Sequence, residues 1–193
     1  MARVHAMNSL VIDTSSTRTT VSLFRDAQLL FESHHDGATE HAEVLPNLVS
    51  QALHISKQID EVIIGMGPGP FTGLRVGIAF GQAFAHARSI PWRGVCSLDG
   101  IDIDIDSDEY IVTTDARRKE MYWARYRDGR RVDGPFVDKQ DVIANEPEKK
   151  FGFGFTEILF PSPHLLLAKS QTTSVTEPMY LRRPDAVPTS ERQ

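Results

Sequence analysis

Two short stretches hold the residue types that phosphate chemistry uses. Residues 65–77 read GMGPGPFTGLRVG, with four glycines and two prolines in positions 65–73. Glycines at a strand-to-helix corner leave backbone N–H groups open, and such a corner can hold an anion at the helix N-terminus. Upstream, Asp13 closes an apolar run and is followed by Thr14 and Ser15. An acid beside two hydroxyls could face a metal-bound phosphate. In the plainer reading Asp13 or Thr14 caps the turn by bonding nearby amides. The plainer reading is favoured, because a working nucleotide site also needs a full second lobe.

Neither standard nucleotide motif is complete. A P-loop requires G-x-x-x-x-G-K-[ST], and Leu74 and Arg75 stand where its lysine and hydroxyl would be. A dinucleotide fingerprint begins at Gly67 and Gly69, but Thr72 replaces its third glycine. The histidines, at 5, 34, 35, 41, 54, 86 and 164, never fall at H-x-x-x-H spacing, and no cysteine cluster supports zinc. No G-x-S-x-G nucleophile elbow occurs. A calcium loop starting at Asp102 would need Gly and Glu where Ser107 and Thr113 stand. Asp115, Arg117, Arg118 and Glu120 could form a salt-bridged turn, and nothing in the sequence marks a substrate pocket beside them.

These residues need elements to position them. Residues 9–13, 20–25 and 28–34 read as strands joined by tight turns, an antiparallel meander. In residues 41–56 the period changes: Leu45, Leu48, Val49, Ala52 and Leu53 line one helix face, with Pro46 making the start uncertain. A compact strand over 61–66 leads into the glycine corner, then a helix over about 73–87 and a strand over 93–97. Along the second helix Gly73, Gly77, Gly81 and Ala85 recur every fourth residue, a stripe without side chains. Each interior glycine costs about 1 kcal/mol against alanine, so something must pack closely on that stripe. An internal strand or helix would do; so would a helix of another subunit. Flanking Leu74, Ile78 and Phe84 make this helix apolar nearly all round, which adds weight to a partner. Beyond residue 98 the chain offers two strands around the charged turn of 110–126, then short helices near 139–144 and 163–169.

The bulk properties narrow the classes. The chain has 193 residues, 40% hydrophobic, and a net charge of −5. That size permits one domain or two small lobes. The acidic balance argues against a chain that holds RNA alone by phosphate neutralisation. The Arg117–Arg118, Arg130–Arg131 and Arg182–Arg183 pairs remain as local contacts. Cys96 is the sole cysteine, which excludes an internal disulfide and fits a reducing cytoplasm. No apolar run nears the ~20 residues of a membrane span, and the N-terminus is no signal peptide.

Five ordered motifs together resemble the bacterial TsaB (YeaZ) family: LVIDTSS at 10–16, EHAEVLPNL at 40–48, GMGPGPFTGLRVG at 65–77, TDARRKEMYWARY at 114–126 and PMYLRRPDAVP at 178–188. The resemblance covers most of the chain. It implies an α/β fold of the ASKHA (actin-like, ribonuclease H-like) type with two lobes, the second reduced. The lobes would be residues 1–98, with 1–7 a leader, and 99–181, followed by a tail over 182–193. It implies a cytoplasmic, non-catalytic subunit in making threonylcarbamoyladenosine on tRNA, paired with the catalytic TsaD and joined by the ATPase TsaE. A homodimer could compete, and tRNA would be met only within the complex. ATP, Mg and a TsaD-bound metal would serve the complex, with no cofactor or metal held by this chain alone. Mapped here, the pairing surface would be His41, Leu45, Leu48, Val49 and Ala52 on the first helix. On the second it would be Gly73, Leu74, Gly77, Ile78, Gly81 and Phe84. Asp13, Thr14 and Ser15 would be a vestigial phosphate loop. The chain departs from the family in lacking a helix after Leu98, in a short 134–177 region, and in FGFGF at 151–155, a poor glycine turn. The rival readings are an ATP-dependent ASKHA kinase or metallopeptidase-like enzyme, and a stand-alone RNA-binding module.

Overall fold

The computed structural model describes residues 6–103 and 109–182. Most of the expected leader, most of the expected tail and the acidic run at 104–108 lie outside the described residues.

Strands β1 (Asn8–Asp13), β2 (Arg18–Arg25) and β3 (Gln28–Asp36) form the expected meander. Helix α1 (His41–Ile55) follows, then β4 (Glu61–Gly65), α2 (Phe71–Arg88) and β5 (Trp92–Val95). The sheet order is β3-β2-β1-β4-β5, with β1, β4 and β5 parallel. β1 and β4 are buried at every position, as befits apolar central strands covered on both faces. Alternate residues serve the two faces. Leu10, Ile12, Val62 and Ile64 meet the α1 and α2 side with Leu45, Leu48 and Leu74. Val11, Ile63 and Val95 meet Leu166 and Leu167 of α4 (Pro163–Ser170) on the other.

The second sheet repeats this opening. β6 (Glu109–Asp115), β7 (Glu120–Arg127) and β8 (Arg130–Lys139) make a meander; a short α3 (Gln140–Ala144) leads to β9 (Lys149–Gly152), parallel to β6. The order β8-β7-β6-β9 copies β3-β2-β1-β4 and stops there. Two sheets built on one plan make this an ASKHA fold with a shortened second half.

Sequence periodicity missed β8 and β9. β8 contains Gly134 and Pro135, which weaken a strand signal, yet β8 is an edge strand, where proline costs least. One assignment also needs correction. Residues 99–181 are not a self-contained lobe, because α4 packs on the first sheet through Leu166 and Leu167. The second face of the five-stranded first sheet, with Val11, Ile63 and Val95, is apolar and must be covered, and α4 covers it. The halves are further tied by Asp99, which accepts Tyr126 Oη at 2.9 Å and Arg131 Nε at 2.8 Å. Cys96 is fully buried beside this link, and burial pushes its thiol up to about 12.

Candidate functional site: the Asp13 turn and the faces of two helices

Asp13 ends β1 at 4% exposure. Its Oδ1 accepts the Ser15 N–H at 2.9 Å and the Ser15 hydroxyl at 2.7 Å, and its Oδ2 accepts the Ser97 hydroxyl at 2.6 Å. Burial raises its pKa, against the opposing pull of the Ser97 and Ser15 hydrogen bonds. Thr14 is committed too: its hydroxyl donates to Gly73 O at 2.8 Å and accepts the Gly77 N–H at 3.1 Å. The glycine loop closes directly over this turn. A Cβ on Gly65 would lie 1.8 Å from Asp13 Oδ2, and one on Gly69 would lie 2.3 Å from Ser15 O. These residues do not fit a phosphate or its metal: the hydroxyls that would bind one are spent internally, and the space is filled by the chain's own backbone. The turn is a structural lock.

The glycine stripe has the same explanation, and the expected pairing residues must be corrected. Cβ atoms would fall 2.9 Å from the His41 ring at Gly73, 2.3 Å from Thr14 Oγ1 at Gly77 and 2.7 Å from Ile64 Cδ1 at Gly81. The close neighbour is therefore this chain's own β1–β2 turn, α1 and β4. His41, Leu45, Leu48, Val49, Ala52, Gly73, Leu74, Gly77, Ile78 and Gly81 are all buried, so none of them forms an open face. Of the expected set only Phe84 is partly exposed.

A second stripe on α2 does face outward. Val76, Phe80 and Phe84 are half-buried at i, i+4, i+8, with Ala79, Ala83 and Ala87 exposed between them. Phe80 and Phe84 stack with centroids 6.2 Å apart, and the Arg88 guanidinium lies 4.6 Å over Phe84. Leu53 of α1 borders the same cluster, and Ile55 is 56% exposed. The i, i+3, i+4, i+7, i+8 spacing was visible in the sequence. It was obscured because the inner stripe carries the same period one step away.

Arg117 and Arg118 sit on the β6–β7 turn beside Tyr122, Arg182 and the N-terminal ends of α1 and α2. Arg182 pairs with Glu120 and donates to Arg117 O. The structure thus brings Arg117, Arg118 and Glu120 to one rim, where sequence spacing gave them no role. Among the described residues no group of three or more His, Cys, Asp or Glu side chains could hold a metal ion, and no helix is long and apolar enough to cross a membrane.

The model for tRNA N6-adenosine threonylcarbamoyltransferase (TsaD) matches residues 35–165. Uncharacterized proteins of Mycobacterium leprae and Mycobacterium tuberculosis are each 42% identical, over 93% and 97% of this chain. The tRNA threonylcarbamoyladenosine biosynthesis protein TsaB of Escherichia coli is 31% identical over 63% of it. The matches span 98% of the M. tuberculosis protein but 56% of the M. leprae protein and 55% of E. coli TsaB. A YeaZ-like structure from Pseudomonas aeruginosa superposes with a TM-score of 0.74 over 91% of this chain and 100% of that one, at 22% identity, which establishes the shared fold. The chain belongs to this threonylcarbamoyltransferase family, and TsaB proteins are among its named relatives.

Proposed function

We propose that this chain is a non-catalytic subunit of the apparatus that makes threonylcarbamoyladenosine on tRNA. It works by pairing with a TsaD-like catalytic subunit. Relatives named for threonylcarbamoyladenosine biosynthesis support the pathway. The pairing rests on one observation: α2 carries an outward stripe of Val76, Phe80 and Phe84 that its own lobe leaves partly uncovered. An apolar helix face of this kind is stabilised by burial against a second helix. The glycine ridge contributes indirectly, by seating α2 close to β4 so that the outer stripe stands at a fixed height. The Asp13 turn, with its hydroxyls spent internally, favours a scaffold over an ATP-dependent enzyme. In this proposal ATP, Mg and the catalytic metal belong to the partners, and TsaE joins the assembled pair.

The test is reconstitution of tRNA modification by TsaD and TsaE with and without this chain, alongside Phe80→Glu. The expected result is modification that depends on the chain and is lost with Phe80→Glu while the variant remains folded. Full modification without the chain would refute the role. Unchanged pairing by Phe80→Glu would refute the surface.

A further inference from the structure

Helix α2 carries no aspartate or glutamate in its 18 residues, although the chain has 26 of them and a net charge of −5. Its charges are Arg75 and Arg88, both exposed, and His86 is exposed as well. The neighbouring α1 adds one acid, Glu43, in its first turn. The outward face of α2 is therefore cationic on an acidic molecule.

Each arginine stands four residues after an aromatic ring and lies over it: Arg75 at 5.2 Å from the Phe71 centroid, Arg88 at 4.6 Å from that of Phe84. One helical turn separates the members of each pair, so each guanidinium is held against the helix rather than trailing in water. The two arginines lie about 20 Å apart along the axis, with half-buried Val76 and Phe80 between them. Neither makes an ion pair among the described residues; Arg88 donates to Lys57 O at 2.9 Å, and the Arg75 side chain has no hydrogen bond among them. Elsewhere arginines are paired: Arg18, Arg93, Arg125, Arg127, Arg131 and Arg182 each meet a carboxylate. With acids this plentiful, two unpaired arginines beside an apolar row mark a face that lacks carboxylates of its own. The guanidinium fork matches a carboxylate in a bidentate pair, and arginine and aromatic side chains are enriched where proteins meet.

A second copy of the chain fits this face less well. A two-fold pair brings the same patch from both sides, and this patch has two arginines and no carboxylate to offer them. Like charges then face one another across the contact.

We infer that the occupant of this face is a helix of a different protein, with a carboxylate near each end of its own apolar row, spaced to meet Arg75 and Arg88. The inference rests on the pairing reading above and adds the chemistry of the partner's side. The apolar rows supply most of the affinity, and the carboxylates set the register, since a helix shifted by one turn loses both pairs.

The experiment measures binding of the TsaD-like subunit to the full chain at about 0.05 M and about 0.5 M salt, between which screening of exposed charges becomes strong. The variants are Arg75→Glu/Arg88→Glu, the neutral Arg75→Gln/Arg88→Gln, Phe80→Glu, and Arg130→Glu as an exposed charge control at the start of β8. Thermal melts confirm that each is folded. The expected result is wild-type pairing that weakens roughly tenfold or more from the lower salt level to the higher. At the lower level, pairing weakens roughly tenfold or more in the glutamate pair, less in the glutamine pair and not at all in Arg130→Glu. Pairing that is lost in Phe80→Glu but equal to wild type in both arginine pairs would overturn the carboxylate-bearing partner and leave the pairing reading standing. No pairing by wild type would overturn both. Self-association of the chain that is lost in Phe80→Glu and tighter than binding to the TsaD-like subunit would overturn the inference in favour of a second copy.

Discussion

The two halves begin alike and end their first strands differently. In each, the strand closes on an aspartate whose Oδ1 accepts the N–H two residues on: Asp13 from Ser15 at 2.9 Å, Asp115 from Arg117 at 2.7 Å. Thereafter they diverge. The first turn is small and hydroxylic, buried, and locked by Ser97, Gly69 and Gly77. The second carries Arg117, Arg118 and Lys119 at φ of 61°, 54° and 64°, a left-handed run that side chains other than glycine adopt at a cost. It projects its arginines into a cavity between the halves. The same local hydrogen bond therefore sits in two different settings: one turn is packed shut by the glycine loop, and the other opens onto the cavity.

The largest expected effect breaks the closed turn. Gly77→Leu drives a side chain into Thr14, and we expect a loss of several kcal/mol, on the order of a severe overpacking defect, in denaturant unfolding. Intact folding with pairing alone abolished would contradict the inward placement of the ridge. Asp13→Ala comes next. It leaves the Ser97 and Ser15 hydroxyls without an acceptor and should cost about 1–3 kcal/mol, while Asp115→Ala on the exposed rim should cost well under that. Equal losses would erase the contrast between the turns.

Phe80→Glu gives up part of the packing of a half-buried ring and should cost about 1 kcal/mol, leaving the chain folded, while abolishing partner binding in a pull-down. The smallest effect concerns pH. Burial lowers the His41 pKa, with the nearby Asp13 charge opposing. The folded chain thus binds a proton less readily than the unfolded chain. Stability from this source is present above the ordinary value of 6.5 and is lost as pH falls below it toward the lowered folded pKa. His41→Gln should flatten that decline in melts between pH 7 and pH 5, roughly the window where histidine titrates. A decline identical to wild type would remove His41 as the cause.

Much of the fold was legible in local pattern. The meander, α1 and α2 came from periods of two and 3.6, and α1 over His41–Ile55 falls almost where its apolar repeat placed it. β9 is only four residues long, and β8 is interrupted by Gly134 and Pro135, so neither had a periodic signal to read. The stripe of Gly73, Gly77 and Gly81 was also legible, together with the inference of a close neighbour. Which neighbour was not, because Thr14 and Ile64 approach from distant parts of the chain. The cavity was illegible for the same reason: its arginines and its helix ends are separated by some 40 residues or more of sequence.

The sequence by itself determined the order of strands and helices, the need for tight packing along α2, and the family signature, since each is written in neighbouring residues or their spacing. Only the tertiary structure decided what fills that tight contact, which face of α2 stays open, and that an acidic chain has an arginine-lined cavity. Those depend on where separate segments meet, and a one-dimensional pattern records what a residue prefers around it without recording which residue provides it.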